Sequence, residues 1–247
     1  MHRIEKSFLL LFIIFYLIGC NSDPSAKIVD DAIKAHGGKK FENAFIEFDF
    51  RGRHYTSHRK GGQFTYTREF ADSTGTIKDI LSNDGFRREI NGGLAKISGE
   101  RAAAFSNSVN SVLYFALLPY GLNDPAVVKS YLGETQLRQK KYHLIRVTFK
   151  QDGGGKDHDD VFLYWINTET NIVDYLAYSY LTDGGGLRFR ESINPRTVNG
   201  ILFHDYNNYK PAGDGVSLDD LGTLFEQNQL ELLSVINHEN IKVQLHP

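Results

Sequence analysis

The sequence predicts an α+β fold in which a strongly curved antiparallel β-sheet is wrapped around or covered by helices. Three observations indicate this class. Short segments with alternating apolar and polar residues follow one another along most of the chain, as antiparallel strands do. Seventeen Phe and thirteen Tyr residues supply aromatic side chains, which are enriched in strands. A few stretches have apolar residues at helical spacing instead.

The first nineteen residues have the pattern of a secretory signal peptide. Arg3 and Lys6 form a short basic region before an apolar run at 8–18, which is too short to cross roughly 30 Å of hydrocarbon as a helix. The run ends at Cys20, the one cysteine of the chain. Leu17-Ile18-Gly19-Cys20 resembles the lipobox of bacterial lipoproteins. This resemblance implies cleavage before Cys20 and attachment of a lipid to its sulfur.

Lipidation at Cys20 would make the chain a membrane-anchored protein of the cell envelope. We expect residues 1–19 to be removed, residues 20–25 to form the lipidated tether and residues 26–247 to form a single domain. The predicted location is the outer membrane, on its periplasmic or surface face. With 28 basic and 30 acidic residues, the chain has no excess of positive charge, so nucleic acid is not an expected partner.

Four segments are predicted to be helical. The first is followed by Gly37-Gly38, and the long second one is ended by Pro119, both of which are typical stop signals. The third begins with Asp124 as its N-cap and Pro125 at its first position. The segments are Pro24–His36, Glu100–Leu118, Asp124–Tyr131 and Leu218–Asn228.

The predicted strands form hairpins and then a meander. Asn83-Asp84-Gly85 is a hairpin turn between two of the early strands. Two later connections contain triple-glycine runs (153–155 and 184–186), which a meander places at the same edge of the sheet. A loop is expected at 194–196. The strands are Phe45–Arg51, 64–70, Thr76–Ser82, Phe86–Asn91, Tyr142–Lys150, Asp160–Asn167, Asn171–Leu181, Leu187–Ile193, Gly200–Tyr209 and Leu232–Leu245.

The strand at Val161–Ile166 is apolar on both of its faces. An antiparallel strand with one solvated face would show polar residues at alternate positions. This strand must therefore be covered on both sides, and the helix at Glu100–Leu118 is one expected cover.

The lipobox, the short first helix, the curved sheet and the inserted helix resemble the LolA/LolB-like lipoproteins. That likeness implies a half-barrel architecture that holds acyl chains or lipoproteins. Several stretches are also similar to an uncharacterised lipoprotein family of Gram-negative bacteria of the Bacteroidota type, and this second resemblance implies no activity. They are 107–109, 118–120, 157–162, 185–190 and 205–209.

Aromatic side chains and two arginines are the candidate ligand-binding residues. If the sheet curves without being filled, the aromatic residues line a pocket, and otherwise they are core. Arg188 and Arg190 share one strand face, on which they either clamp an anionic head group or join a cross-strand ladder of ion pairs. The aromatic candidates are Phe48, Phe50, Phe64, Tyr66, Tyr164, Tyr178 and Phe189.

A polar run at Asp157, His158, Asp159 and Asp160 is the other candidate site. Carboxylates and an imidazole bind divalent cations or act as acid and base. Because neighbouring residues of a strand point to opposite sides, His158 cannot easily share one metal ion with both Asp157 and Asp159. A solvated loop is the favoured interpretation, although His158 and Asp159 are kept as candidate ligand-binding residues.

No catalytic residue, metal ion or cofactor is predicted, because the sequence has no nucleophile-elbow motif and no zinc-binding cysteines. The leading hypothesis is a lipoprotein that binds a lipid or another apolar ligand. Two alternatives stay open. One is a hydrolase or metal-dependent enzyme built on Asp157, His158, Asp159 and the two arginines, and the other is a protein-binding module for envelope assembly.

Overall fold

The computed structural model describes residues 23–153 and 158–246. The predicted signal peptide and Cys20 lie outside these ranges. The described part of the chain is α+β, as the sequence predicts, with fourteen strands divided between two antiparallel sheets of seven strands each. The single curved sheet of the sequence interpretation is therefore two sheets. No helix in the described ranges is long and apolar enough to cross a membrane.

The first sheet is built from six successive strands and the last strand of the chain. They are β1 (Ala44–Phe50), β2 (Arg53–Lys60), β3 (Gln63–Asp72), β4 (Gly75–Ser82), β5 (Gly85–Ile90), β6 (Gly93–Leu94) and β14 (Glu239–Leu245). Their order in the sheet is β14-β1-β2-β3-β4-β5-β6. Ser82 pairs with Gly85 across the β4–β5 turn, which confirms the predicted hairpin.

The second sheet is a meander in sequence order. Its strands are β7 (Val127–Leu137), β8 (Lys140–Phe149), β9 (Val161–Asn167), β10 (Val173–Tyr180), β11 (Gly186–Val198), β12 (Ile201–Pro211) and β13 (Leu230–Ile236). Tyr178 pairs with Phe162 on β9 and with Arg188 on β11. The β8–β9 and β10–β11 connections therefore lie at the same edge, as the sequence predicts.

In the described ranges, three α-helices accompany the sheets, α1 (Ser25–His36), α2 (Gly99–Ala116) and α3 (Leu221–Glu226). The Ser98 side chain caps α2 by accepting a hydrogen bond from the backbone N–H of Arg101. One side of α2 packs on the first sheet through Val109 and Leu113. Tyr114 and Phe115 pack toward the second sheet, so α2 lies between the two sheets.

Strand β9 is covered on both faces, which confirms the expectation from its composition. Phe162 and Tyr164 belong to the core shared with α1 and with the end of α2. Leu163 and Trp165 face the other way and pack in the core beneath α3. A Cβ atom at Gly222 of α3 would lie 2.9 Å from Cζ2 of Trp165, so only glycine permits this close approach.

Two predicted elements between α2 and β12 have a different secondary structure in the protein. The segment Asp124–Tyr131, predicted as a helix, leads into strand β7, whose residues alternate between half-buried and exposed and pair with β8 along its length. The predicted loop at 194–196 lies inside β11 as a register shift. The chain turns instead at Asn199-Gly200, where both residues have positive φ.

The predicted closing strand Leu232–Leu245 is two strands that belong to different sheets. The break falls at His238, whose backbone N–H donates to the Asp205 carboxylate at 2.8 Å. Because this hydrogen bond takes the N–H away from strand pairing, the chain leaves the second sheet at β13 and enters the first sheet at β14.

Residues 23–25, which the sequence predicts to be part of the tether, contact the folded domain. Ser25 is the first residue of α1, and its N–H donates to the Asp23 carboxylate at 2.8 Å. The same carboxylate accepts from the N–H of Tyr131 on β7 at 3.4 Å. Residues 23–25 are thus part of the folded body.

Candidate ligand cavity between helix α2 and the second sheet

A cleft between α2 and the inner face of the second sheet holds two partly enclosed cavities. Their volumes are about 390 Å³ and about 490 Å³. Ser111, Phe115 and Arg190 line both of them. The first cavity opens toward the sheet edge that carries the β8–β9 and β10–β11 connections, and the second extends toward β13.

Six of the thirteen residues that line the first cavity are aromatic. Tyr178 stacks on Phe162 with ring centroids 5.2 Å apart, and Phe115 of α2 lies 5.2 Å from Tyr178. Register places these rings together, because Phe162, Tyr178 and Arg188 are direct neighbours across β9, β10 and β11. The full aromatic lining is Tyr114, Phe115, Phe149, Phe162, Tyr178 and Tyr180.

Polar side chains of α2 form the rim of the cavity. Asn107, Asn110 and Ser111 line it at helical spacings of three and four, so they share one side of the helix. The cavity therefore combines aromatic side chains with polar groups, as small-molecule sites do.

Arg190 lies where the two cavities meet. Its side chain is only 8% exposed. One terminal nitrogen, Nη2, donates to the Tyr178 hydroxyl at 2.9 Å, and the guanidinium carbon lies 3.8 Å from the centroid of the Phe115 ring. The Nε atom is buried and has no hydrogen-bond partner in the described part of the chain. Arg190 forms no ion pair with any residue that the structure describes.

The hydroxyl groups around this guanidinium are neutral. Tyr114 and Tyr164 are joined through their hydroxyl oxygens at 2.9 Å, and burial raises the pKa of both phenols. Burial also raises the pKa of Tyr206 to about 12. These phenols therefore supply no negative charge to Arg190 at physiological pH.

Arg188 lies at the mouth of the first cavity. It is half-buried, lies 5.1 Å from the Tyr180 ring and donates to the carbonyl of Leu187 at 2.8 Å. Neither Arg188 nor Arg190 takes part in an ion pair among residues 23–153 and 158–246. The cross-strand ladder that the sequence suggested for them is therefore not present there.

The structure divides the aromatic candidates between the cleft and the packed cores. Tyr178 lines the first cavity and Phe50 the second, while Tyr164 is fully buried and contacts the cavity residue Tyr114. Four others belong to cores, in which they fill space without lining the cleft. They are Phe48, Phe64 and Tyr66, which pack between α2 and the first sheet, and Phe189, which packs beneath α3.

His158 and Asp159 lie on the loop before β9. The Nε2 atom of His158 is 3.5 Å from Oδ1 of Asp159, and the Asp159 side chain is 65% exposed. Neither residue lines the cavity, although the adjacent Asp160 does. Asp157 lies outside the described residues. Among the residues that are described, no three His, Cys, Asp or Glu side chains are grouped closely enough to hold a metal ion.

The contribution of α2 to the site was not predicted. Asn107, Ser111 and Phe115 are spaced by four along the helix, so they form a stripe beside the core stripe of Val109 and Leu113. That spacing is visible in the sequence. The role of this stripe becomes apparent only in the structure, in which the second sheet faces it.

Two open antiparallel sheets with a helix between them place the protein in the LolA-like fold class. The structure is similar to that of a LolA superfamily protein from Nitrosomonas europaea, with a TM-score of 0.50 and 11% identity over 90% of this chain and 95% of that chain. This likeness confirms the predicted architecture, and at this identity it shows the fold alone.

Two further solved structures are similar at lower scores. One is a putative outer membrane lipoprotein-sorting protein domain from Vibrio parahaemolyticus, with a TM-score of 0.45 and 7% identity over 82% of this chain and 98% of that chain. The other is a DUF1329 family protein from Desulfovibrio piger, with a TM-score of 0.44 and 12% identity over 90% of this chain and 93% of that chain.

By sequence, the chain belongs to the family of unknown function DUF6503, which matches residues 5–238. No curated protein matches it.

Proposed function

We propose that this protein is a lipoprotein of the Gram-negative envelope, of the Bacteroidota type, which binds the acyl part of a lipid or another apolar ligand. Cys20 anchors it to the outer membrane, and residues 26–247 form one domain. The ligand lies in the cleft between α2 and the second sheet. The protein binds and holds this ligand without changing it chemically.

The aromatic cavity is the observation that carries this proposal. Its volume of about 390 Å³ is within the range of about 300–1,000 Å³ that small-molecule sites occupy. Six aromatic residues line it. An apolar ligand that displaces water from these rings gains about 25 cal/mol for each Å² of apolar surface that is buried.

The test is whether filling the cleft prevents a ligand from binding. Ser111 is exposed on α2 and lines both cavities, so Ser111→Trp places an indole in the cleft without disturbing a core. Ala104 is also exposed, two turns earlier on the same side of α2. Ala104→Trp is therefore the matched control.

Each protein is purified from its native envelope, and organic extracts are analysed by mass spectrometry after the covalent lipid is accounted for. We expect wild type and Ala104→Trp to release a non-covalent acyl species in about equal amount. Ser111→Trp should release at most a tenth of it. An equal yield from Ser111→Trp, or no apolar species from wild type, would contradict the proposal.

A further inference from the structure

Three arginine side chains are buried in the described part of the chain, and two of them share a carboxylate. Arg68 and Arg88 are 3% and 7% exposed, and both donate to Asp79, which is fully buried. Arg190 is equally buried, at 8% exposed. It has no carboxylate within ion-pair distance among the described residues. Two of the buried guanidiniums are thus paired with one shared carboxylate, whereas the third has no carboxylate partner among the described residues.

An arginine side chain cannot avoid the cost of burial by losing its proton, because it stays positively charged at any pH at which proteins fold. Buried charges are therefore normally paired. The Phe115 ring, 3.8 Å from the guanidinium carbon, and the Tyr178 hydroxyl offset part of the cost. Neither group has a negative charge, and the Nε atom has no acceptor within residues 23–153 and 158–246.

The position of Arg190 makes it accessible to a ligand. It lines both cavities, so an anion that enters either of them reaches the guanidinium. A planar guanidinium binds carboxylate and phosphate oxygens through paired N–H donors. Arg188, on the same face two residues away, adds a second positive charge at the mouth. The lining of the first cavity also contains one acidic residue, Asp160, beside the two arginines.

The residues around Arg190 favour a ligand that has an apolar chain as well as an anionic group. Phe162 and Tyr178 extend from the guanidinium along the first cavity, where they offer apolar surface and no further cation. We propose that the cleft binds an anionic amphiphile, whose carboxylate or phosphate group contacts Arg190 and whose acyl chain lies against the aromatic wall. This inference rests on the proposed function and adds the charge of the ligand to it.

Ligands that have the same alkyl chain and head groups of different charge test the inference without any substitution in the cleft. The mature chain, residues 20–247, is produced with Cys20→Ser and without the apolar run at 8–18, so that no detergent is needed, and displacement of a fluorescent probe is measured at pH 8. The competitors are dodecanoate, dodecanol and dodecyltrimethylammonium, and acetate is included as an anion without the alkyl chain. We expect dodecanoate to bind about 10- to 100-fold more tightly than dodecanol, and the cation to bind most weakly.

Variants of the two arginines assign the effect to one residue. Arg190→Gln should lower the affinity for dodecanoate to that for dodecanol and leave the affinity for dodecanol within about threefold. Arg188→Gln, at the half-buried mouth, should lower the affinity for dodecanoate by less than Arg190→Gln does. Arg87→Gln is the control, because Arg87 is exposed on β5 and lines neither cavity, and it should leave the affinity for dodecanoate unchanged. Thermal unfolding of each variant shows that it is folded. If Arg190→Gln does not fold, the relative affinities of the three ligands for the protein with the unsubstituted cleft test the inference.

Each contrary result of these measurements overturns a different part of the proposal. Equal binding of dodecanoate and dodecanol overturns the charge selectivity and leaves apolar binding in place. Binding of none of the three ligands overturns the proposed function together with this inference. If acetate competes as well as dodecanoate, the site binds small anions, and the proposal that the ligand is an amphiphile is overturned. A loss of dodecanoate binding in Arg188→Gln but not in Arg190→Gln overturns the role of Arg190.

Discussion

The guanidinium of Arg190 on β11 lies 3.8 Å from the centroid of the Phe115 ring on α2. Both residues line both cavities of the cleft. This contact between the helix and the second sheet therefore separates one cavity from the other. The size of the ligand that fits depends on whether the Phe115 ring stays in place.

Replacing Phe115 with Ala should join the two cavities. We expect Phe115→Ala to shift ligand preference toward longer acyl chains, as measured by displacement with carboxylates of increasing length. Stability should fall by about 2 kcal/mol, less than the roughly 3–5 kcal/mol typical of a fully buried Phe, because the side chain is half-buried.

Phe105→Ala is the matched control for this prediction. Phe105 is also on α2, and its ring lies 3.5 Å from the guanidinium carbon of Arg88, away from the cleft. It should cost comparable stability without changing the preference for chain length. The same shift in both variants would show that α2 has loosened as a whole.

Much of the fold could be predicted, because period-two patterns and turn residues decide it locally. The pattern of Ile46, Phe48 and Phe50 in β1 and the turn at Asn83-Asp84-Gly85 need no tertiary information. The predicted helix at Asp124–Tyr131 failed because its capping residues were given more weight than the pairing of β7 with β8. Long-range pairing overrides local propensity in such a segment.

The site was predictable on the strands but not on the helix. Tyr178, Arg188 and Arg190 were identified from strand patterns, and all three line the first cavity. Phe189 could have been excluded, because it alternates with the two arginines and must point to the opposite face. Phe115 could not have been found, since its role depends on how the two sheets are placed around α2.

Asp79 is expected to be the most sensitive charged residue of the first sheet. Its carboxylate accepts four hydrogen bonds from Arg68 and Arg88, at 2.6 to 3.0 Å. Asp79→Ala would leave two buried guanidiniums side by side without an anion. We expect a loss of about 3–5 kcal/mol in the free energy of unfolding, measured by urea denaturation.

Asp84→Ala provides the comparison for Asp79, because Asp84 is exposed at the tip of the same β4–β5 hairpin. It should change the free energy of unfolding by no more than about 0.5 kcal/mol. A similarly small change for Asp79→Ala would mean that the two arginines find water or another partner when the carboxylate is removed.

Two buried histidines should make the fold sensitive to acid. His36 and His204 lie with ring centroids 5.7 Å apart, and burial lowers the pKa of each from 6.5 to about 4. Between these values the unfolded chain binds more protons than the folded one. Stability is therefore complete above about pH 6.5 and falls as the pH is lowered toward 4, by about 1.4 kcal/mol per pH unit for each histidine at most.

His204→Phe tests this origin of the acid sensitivity. Neither ring nitrogen of His204 has a hydrogen-bond partner among the residues that the structure describes, so a phenyl ring loses no such bond there. We expect little change in stability at pH 7.5 and a shallower loss between pH 6.5 and 4, followed by urea denaturation at each pH. His58→Gln, at an exposed position on β2, should keep the original slope. An unchanged slope in His204→Phe would place the acid-sensitive groups elsewhere.

The anchor at Cys20 should hold the folded body close to the membrane. Only Asn21 and Ser22 separate Cys20 from Asp23, whose carboxylate is hydrogen-bonded to the N–H groups of Ser25 and Tyr131. Three residue steps reach at most about 11 Å, so Asp23 lies within that distance of a lipidated Cys20, and the start of α1 and the middle of β7 lie next to Asp23.

Cys20→Ser removes the one sulfur that can accept a lipid. We expect the variant to move from the membrane fraction to the soluble fraction, and its N-terminal peptide to lose the mass of the attached acyl groups. Ser22→Ala is the control and should stay in the membrane fraction. If Cys20→Ser also stays there, a different part of the chain holds the protein to the membrane, and the short distance from β7 to the bilayer no longer follows.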